Sequence, residues 1–283
     1  MVKNNTAFIC GWPVAHSRSP IIHNYWINQH KIKGQYIKQP VSPQGFTKFI
    51  INLVADGYLG GNVTLPHKET AYELVKYLDP AAKRLGAVNT LWVENGKLHG
   101  ANTDGYGFLA NLDQFAAGWD NSDKKQQAVI ILGAGGAARA IVDAIASRGF
   151  ENIKIVNRTV LRAEKLAGIF GENITAHEWQ ELPKLMKNTG LLVNTTSLGM
   201  EGKAHLEIEL NLLPSNCLVN DIVYIPLETK LLKQAASRGL GVVDGLGMLL
   251  HQAVPGFEKW FGVRPEVTDE LRRLVIDDLV AKP

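Results

Sequence analysis

Cysteine and concentrated charge are both scarce in this chain, and each scarcity excludes a class of protein. Two cysteines among 283 residues, Cys10 and Cys217, lie far apart within apolar runs. That spacing excludes a disulfide framework and suits two buried thiols in a reducing compartment. The formal net charge is only +3, with lysine and arginine scattered among aspartate and glutamate, so nucleic acid finds no electrostatic footprint here. Nowhere do apolar residues run on for the ~18 positions that a membrane-spanning helix requires, and no membrane partner is expected. The eight histidines show neither His-Glu-x-x-His nor another ligand spacing, and Cys-x-x-Cys does not occur, so no metal is expected. Met1 to Thr6 lacks a basic stretch followed by an apolar run, which predicts no secretory leader and a cytoplasmic location.

What is present is ordinary globular material. Hydrophobic residues make up 46% and charged residues 20%, enough apolar surface for two cores in a chain of this length. Short β-branched runs alternate with amphipathic stretches from the start: Ala7 to Cys10, Ile21 to Gln29, Tyr36 to Val41, Pro43 to Val54, Gly61 to Thr64 and Lys68 to Tyr77. Such alternation predicts βαβ units. Between Asn89 and Asn102 two extended runs flank Glu94-Asn95-Gly96, and Asn-Gly in that setting predicts a hairpin. From Ala116 to Gln127 the pattern lapses into Gly118, Asp120, Asn121, Ser122, Asp123, Lys124 and Lys125, which reads as a surface loop near a domain boundary. Ala128 to Leu132 is then apolar throughout, as in a parallel strand buried on both faces, and a second α/β unit begins there. Its expected elements are a helix from Ala137 to Arg148, a strand at Ile153 to Val156, a helix from Val160 and strands at Leu191 to Asn194 and Leu218 to Asp221. A helix over Thr229 to Ser237, a short strand at Val242-Val243 and C-terminal helices complete it.

Gly133-Ala134-Gly135-Gly136-Ala137-Ala138 directly follows the apolar run and opens a helix, which is the context a Gly-x-Gly-x-x-Gly/Ala dinucleotide motif requires. Gly133 allows the tight turn, Gly135 lets the backbone approach a pyrophosphate, and small Ala138 permits close packing of helix on strand. A site for NAD would place a carboxylate about 20 residues on, at the end of the second strand. Here Asn157-Arg158-Thr159 stands there instead, with Arg162 one helical turn beyond Arg158. A guanidinium fork binds a 2′-phosphate that a carboxylate would repel, so the residues predict NADP.

Before that unit, polar residues gather where strands end. Ser17 and Ser19 precede Pro20, and serve either to cap the helix that Pro20 starts or to donate to a carboxylate. Lys68 follows Asn62-Val63-Thr64-Leu65-Pro66-His67 at a strand end, where open α/β sheets gather ligands. Ala87-Val88-Asn89-Thr90 and Gly100-Ala101-Asn102-Thr103-Asp104-Gly105-Tyr106-Gly107 form a further polar cluster flanked by glycine.

Taken in order along the chain, Gly11 to Asn24, Asn62 to Lys68, Gly86 to Leu91, Asn102 to Phe108, Gly133 to Arg139, Asn157 to Thr159, Asn194 to Met200, Asp221 to Pro226 and Asp244 to Gln252 resemble the shikimate dehydrogenase family over nearly the whole length. The resemblance implies an α/β protein of two domains with a cleft between them. One is an N-terminal α/β substrate domain, residues 1–107 and 246–283; the other is a Rossmann-type doubly wound NADP-binding domain, residues 108–245. It further implies that Ser17, Ser19, Thr64, Asn89, Asp104, Tyr224 and Gln252 contact shikimate or 3-dehydroshikimate, and that Lys68 and Asp104 form the catalytic pair. Gly133, Ala134, Gly135, Gly136 and Ala137 would hold the pyrophosphate, Asn157, Arg158, Thr159 and Arg162 the ribose phosphate, and Ile222 and Gly245 the nicotinamide end. A monomer or homodimer is expected. Three rivals share the scaffold: a quinate/shikimate paralogue, which often takes NAD; a methylenetetrahydrofolate-type dehydrogenase, which does not call for the serine pair; and a non-catalytic nucleotide sensor, which does not need both Lys68 and Asp104.

Overall fold

The computed structural model describes residues 5–281. Residues 1–4, part of the segment read above as lacking a leader signal, lie outside the described residues, as do 282–283. The first half of the chain runs β1 (Thr6–Gly11), α1 (Ser19–Gln29), β2 (Gln35–Pro40), α2 (Pro43–Asn52), β3 (Gly60–Val63), α3 (Lys68–Leu74), β4 (Tyr77–Leu78), α4 (Pro80–Leu85), β5 (Thr90–Glu94), β6 (Lys97–Ala101), α5 (Asp104–Phe115) and α6 (Ser122–Lys125). Then come β7 (Ala128–Leu132), α7 (Gly136–Ser147), β8 (Ile153–Val156), α8 (Val160–Phe170), β9 (Ile174–His177), α9 (Leu182–Leu185), β10 (Thr189–Asn194), β11 (Leu218–Asp221), α10 (Lys230–Ser237), β12 (Gly241–Val243), α11 (Leu246–His251), α12 (Val254–Phe261) and α13 (Asp269–Ala281). No helix among the described residues is long and apolar enough to cross a membrane. The chain divides into two compact units, one running to Asp104 and resuming at Leu250, the other Gly105–Leu249.

The first unit holds a mixed sheet in the order β2-β1-β3-β5-β6-β4. β1 lies parallel to both β2 and β3, whereas β5 runs antiparallel to β3 and β6. The expected hairpin is β5–β6. Asn95 and Gly96 both take positive φ, 52° and 71°, the left-handed pair that makes a two-residue turn follow the twist of its strands. On one face Phe8, Phe46, Leu53 and Leu91 are fully or almost fully buried. Elsewhere in the unit Trp26, Tyr36, Phe257 and Trp260 pack around His23. Each such aromatic contributes on the order of 2–3 kcal/mol through burial.

The second unit is a wholly parallel sheet in the order β12-β11-β10-β7-β8-β9. Numbered within the unit this is 6-5-4-1-2-3, the Rossmann order, and the chain switches direction across the sheet between β7 and β10. The apolar run of β7 has a direct cause: Val129 and Ile131 enter one core with Phe108 and Ile141, while Ile130 and Leu132 enter the opposite core with Leu192 and Leu231. No position of β7 meets water, so none is polar.

Two local readings change. Residues 116–127 are not a plain surface loop, because Trp119 is buried against Phe150 with ring centroids 5.5 Å apart, and its indole N–H donates to Asp113 at 2.9 Å. Asn121 then caps the helical turn α6 by accepting from the Lys124 amide. The polar spelling of this segment hides one apolar anchor. β9 carries no four-residue signal that stands out from its flanks; pairing with β8 at the edge of the sheet makes it a strand.

Candidate active site

In the first unit the carboxyl ends of β1 and β3, neighbours in the sheet, bring two loops together. Thr64, just past β3, donates its amide to the Cys10 carbonyl at 2.9 Å. Gly11 allows this approach, since a side chain there would lie 2.4 Å from the Thr64 methyl. Ser19 is the first residue of α1, with Arg18 in the N-cap position. Helix capping by Ser19 is therefore overturned: the Ile21 and Ile22 amides already donate to the Arg18 carbonyl, and no such donor is left for its hydroxyl. Ser17 Oγ instead accepts from the Ser19 amide at 3.3 Å and donates to Ser19 Oγ at 3.2 Å, which sets the two hydroxyls side by side.

Lys68 opens α3, and its Nζ lies 2.6 Å from Asp104 Oδ2, with both side chains mostly buried. The other carboxylate oxygen accepts from Asn89 Nδ2 at 2.7 Å. Asn89 is itself held, its Oδ1 accepting from the Thr103 amide at 2.9 Å and from Thr90 Oγ1 at 2.9 Å. Behind these, Asn62 Nδ2 donates to Thr90 Oγ1 at 3.2 Å, and Tyr36 donates its hydroxyl to Asn62 Oδ1 at 2.6 Å. Burial holds the Tyr36 phenol far above its usual range, so it remains a donor; hydrogen bonds with Asn62 and Ser19 only partly oppose this. Thr103 Oγ1 reaches the Gln252 carbonyl at 2.9 Å, which ties the residues after Leu250 into the same unit. A lysine held by a carboxylate whose second oxygen is also occupied is a fixed ion pair able to give and take a proton.

In the second unit Gly133 follows β7 with φ of +108°, and a side chain there would lie 2.7 Å from Thr195 Oγ1. Glycine is required on both counts. Gly135 and Gly136 differ, for a side chain on either would meet no protein atom within 4 Å. Their bareness leaves the amino end of α7 open, with Gly135 as an N-cap that offers no side chain and the flanking Ala134 and Ala137 half-buried. That cradle fits a pyrophosphate held by backbone N–H groups. At the end of β8, Asn157 Nδ2 donates to the Thr159 carbonyl at 2.8 Å, and Arg158 and Arg162 are exposed. Neither guanidinium is engaged by another side chain among the described residues, which fits a site for a phosphate. Ile222 and Gly245 are in contact, as a side chain on Gly245 would lie 2.2 Å from the Ile222 carbonyl oxygen.

The structure therefore brings Lys68, Asp104 and Asn89 into one hydrogen-bonded group, pairs Ser17 with Ser19, and gathers the glycine turn, the arginines and the Ile222–Gly245 contact in the other unit. Tyr224 also belongs to that second unit, on the loop after β11. Sequence reasoning passed over Tyr36, Asn62, Thr90 and Thr103 in the first unit and Asn194, Asp221 and Thr229 in the second, all buried. The available signal was polar residues inside otherwise apolar strands, as at Asn62, Asn194 and Asp221.

Three family profiles match the chain: a shikimate dehydrogenase substrate binding domain over residues 9–91, shikimate / quinate 5-dehydrogenase over 117–201, and a shikimate 5′-dehydrogenase C-terminal domain over 245–274. The chain is 56% identical over 275 residues to the shikimate dehydrogenase (NADP(+)) of Chelativorans sp. strain BNC1, covering 97% of each chain. Among solved structures it resembles shikimate 5-dehydrogenase from Thermus thermophilus in complex with NADP(H) and shikimate, at TM-score 0.83 and 33% identity over 95% of this chain and 99% of that one. It also resembles quinate dehydrogenase from Corynebacterium glutamicum in complex with NAD, at TM-score 0.88 and 26% identity over 97% and 99%. With the fixed ion pair on one unit, the glycine cradle on the other and identity above one half along almost the full length, this chain belongs to the shikimate dehydrogenase family.

Proposed function

We propose that the chain catalyses the reversible, NADPH-dependent reduction of 3-dehydroshikimate to shikimate, a step of chorismate and aromatic amino acid synthesis. The observation that carries this reading is Lys68 Nζ at 2.6 Å from Asp104 Oδ2, with Asn89 on the other carboxylate oxygen. When bound, NADPH supplies the hydride. The Lys68 ammonium donates to the carbonyl oxygen of the substrate and stabilises the negative charge that grows there. In the oxidative direction the same pair receives the hydroxyl proton. Because lysine and carboxylate share a short hydrogen bond, proton transfer is a property of the pair rather than of either residue.

Ser17 and Ser19 donate to the substrate carboxylate, with Thr64, Asn89, Asp104, Tyr224 and Gln252 as further contacts. Gly133, Ala134, Gly135, Gly136 and Ala137 hold the pyrophosphate; Asn157, Arg158, Thr159 and Arg162 hold the 2′-phosphate; Ile222 and Gly245 border the nicotinamide end. In this reading residues 1–107 and 246–283 are the substrate domain and 108–245 the NADP domain, acting in the cytoplasm as a monomer or homodimer. The arginines at the end of β8 favour NADP over NAD, and so favour this reading over the quinate/shikimate paralogue. The test is reduced-nicotinamide absorbance with shikimate or quinate and NADP or NAD, in all four combinations. Shikimate with NADP should be fastest by a wide margin. Equal rates with quinate and NAD would assign the paralogue, and binding without any absorbance change a sensor.

A further inference from the structure

We propose that Asp221 is a positioning residue for hydride transfer: its buried carboxylate binds the loops after β10 and β11 to each other and sets the backbone at Ile222. This rests on the reading above, which puts the nicotinamide end at Ile222 and Gly245. Asp221 is the last residue of β11 and is fully buried. Its Oδ1 accepts from Asn194 Nδ2 at 2.9 Å and from the Val223 amide at 3.0 Å, and its Oδ2 accepts from Thr229 Oγ1 at 2.7 Å. The bond to Val223 is a side chain turning its own backbone two residues on, which bends the chain at Ile222. Asn194, the last residue of β10, continues the lattice: its carbonyl accepts from the Ile222 amide at 3.1 Å, and its Oδ1 accepts from the Thr196 amide and hydroxyl at 3.0 and 2.7 Å. Gly245 passes close to the Ile222 carbonyl, where a side chain would lie 2.2 Å from its oxygen and only glycine leaves room. Ile222 is thus held at its amide and through the following turn.

A buried carboxylate is an expensive way to fill this space. Desolvation raises its pKa, and three converging donors work against that rise. An apolar side chain would be cheaper but would release two loops at the carboxyl ends of adjacent parallel strands, where an open α/β sheet binds its ligand. Asparagine would keep the shape, yet its amide group would have to face one of the three donors. The carboxylate alone accepts from all three.

Two ligands separate positioning from general stability. NADP and adenosine 2′,5′-bisphosphate share the phosphate end that Arg158 and Arg162 would hold, and only NADP carries the nicotinamide. Asp221→Asn should lower kcat by roughly 10- to 100-fold and weaken NADP by roughly 3- to 10-fold, while the bisphosphate Kd stays within about twofold. Thr229→Val should move the same quantities in the same direction by less, and Thr229→Ser, which keeps the hydroxyl, should restore them. If Asp221→Asn shows no cooperative thermal transition, the Thr229 pair carries the test alone. Unchanged kcat in these variants, or equal weakening of both ligands, overturns the proposal. A wild-type chain that turns over neither acid overturns the functional reading and the proposal with it, and that failure is visible before any variant is made.

Discussion

The two units prepare for their ligands in opposite ways. In the first, polar groups are already committed to one another: Tyr36, Asn62, Thr90, Asn89, Asp104 and Lys68 form a hydrogen-bonded series with donors and acceptors matched. In the second, the surface proposed for the cofactor is bare, with glycines that face open space, a helix end without a side-chain cap and two exposed guanidiniums. The contrast fits the work proposed for each. Proton transfer needs a few atoms held to tenths of an ångström, and a satisfied buried network supplies that rigidity. A dinucleotide offers many phosphate oxygens, and backbone N–H groups with flexible arginines can meet them without prior pairing.

The largest expected effect breaks the first network at its end. Lys68→Ala should reduce kcat by roughly 10²- to 10⁴-fold with KM for the acid little changed, because the ammonium acts on charge that develops only in the transition state. The affinity for NADPH, measured by fluorescence titration, should be unaltered; a variant with near-normal kcat would remove Lys68 from the chemistry. In the second unit Arg158→Ala should weaken NADPH by roughly 10- to 100-fold and leave NADH nearly untouched, since only one of the two carries the 2′-phosphate. Equal losses for both cofactors would show that the guanidinium does not read the phosphate.

A third test compares the units through their buried titratable groups. His23 is fully buried in the first, and desolvation lowers its pKa from 6.5 to about 3. Its folded pKa lies below its unfolded one, so the stabilisation is complete above pH 6.5 and is lost as pH falls toward about 3. The slope is at most ~1.4 kcal/mol per pH unit. Asp221 in the second unit has the opposite sign: its folded pKa is raised above 3.8, so its contribution weakens as pH rises through the raised value. Thermal melts across that acid range should show His23→Gln flattening the acid side of the curve, and an unchanged slope would mean that His23 is protonated in the folded chain. The smallest effect is Ser17→Ala, which removes one hydroxyl beside Ser19. KM for the acid should rise by roughly five- to tenfold, with kcat within about a factor of two. An unchanged KM would leave Ser17 with only its two bonds to Ser19.

Several features were legible because the residues that signal them are adjacent. Asn95-Gly96 announced its hairpin, and both residues take the left-handed conformation such a turn needs. The unbroken apolar spelling of β7 announced a strand covered on both faces, and Gly133 announced a turn that no side chain tolerates. Trp119 was misread for the converse reason: one buried indole in a run of polar neighbours does not alter the local pattern, although it anchors the segment to Phe150. Ser19 as a cap was a fair local guess until the Arg18 carbonyl claimed the amides it would have served.

The buried strand β7, the glycine turn and the arginines at the end of β8 thus follow from spellings a few residues long, because backbone conformation and hydrophobic period are local properties. Which polar groups meet does not follow from them. Tyr36 reaches Asn62 across 26 positions, Asn194 reaches Asp221 across 27 and Lys68 reaches Asp104 across 36. Those partners stand on different strands and loops, and they come within hydrogen-bonding distance only after each sheet has placed its strand ends side by side. A bond that tolerates a few tenths of an ångström is set by that packing, and no propensity of a single segment specifies it.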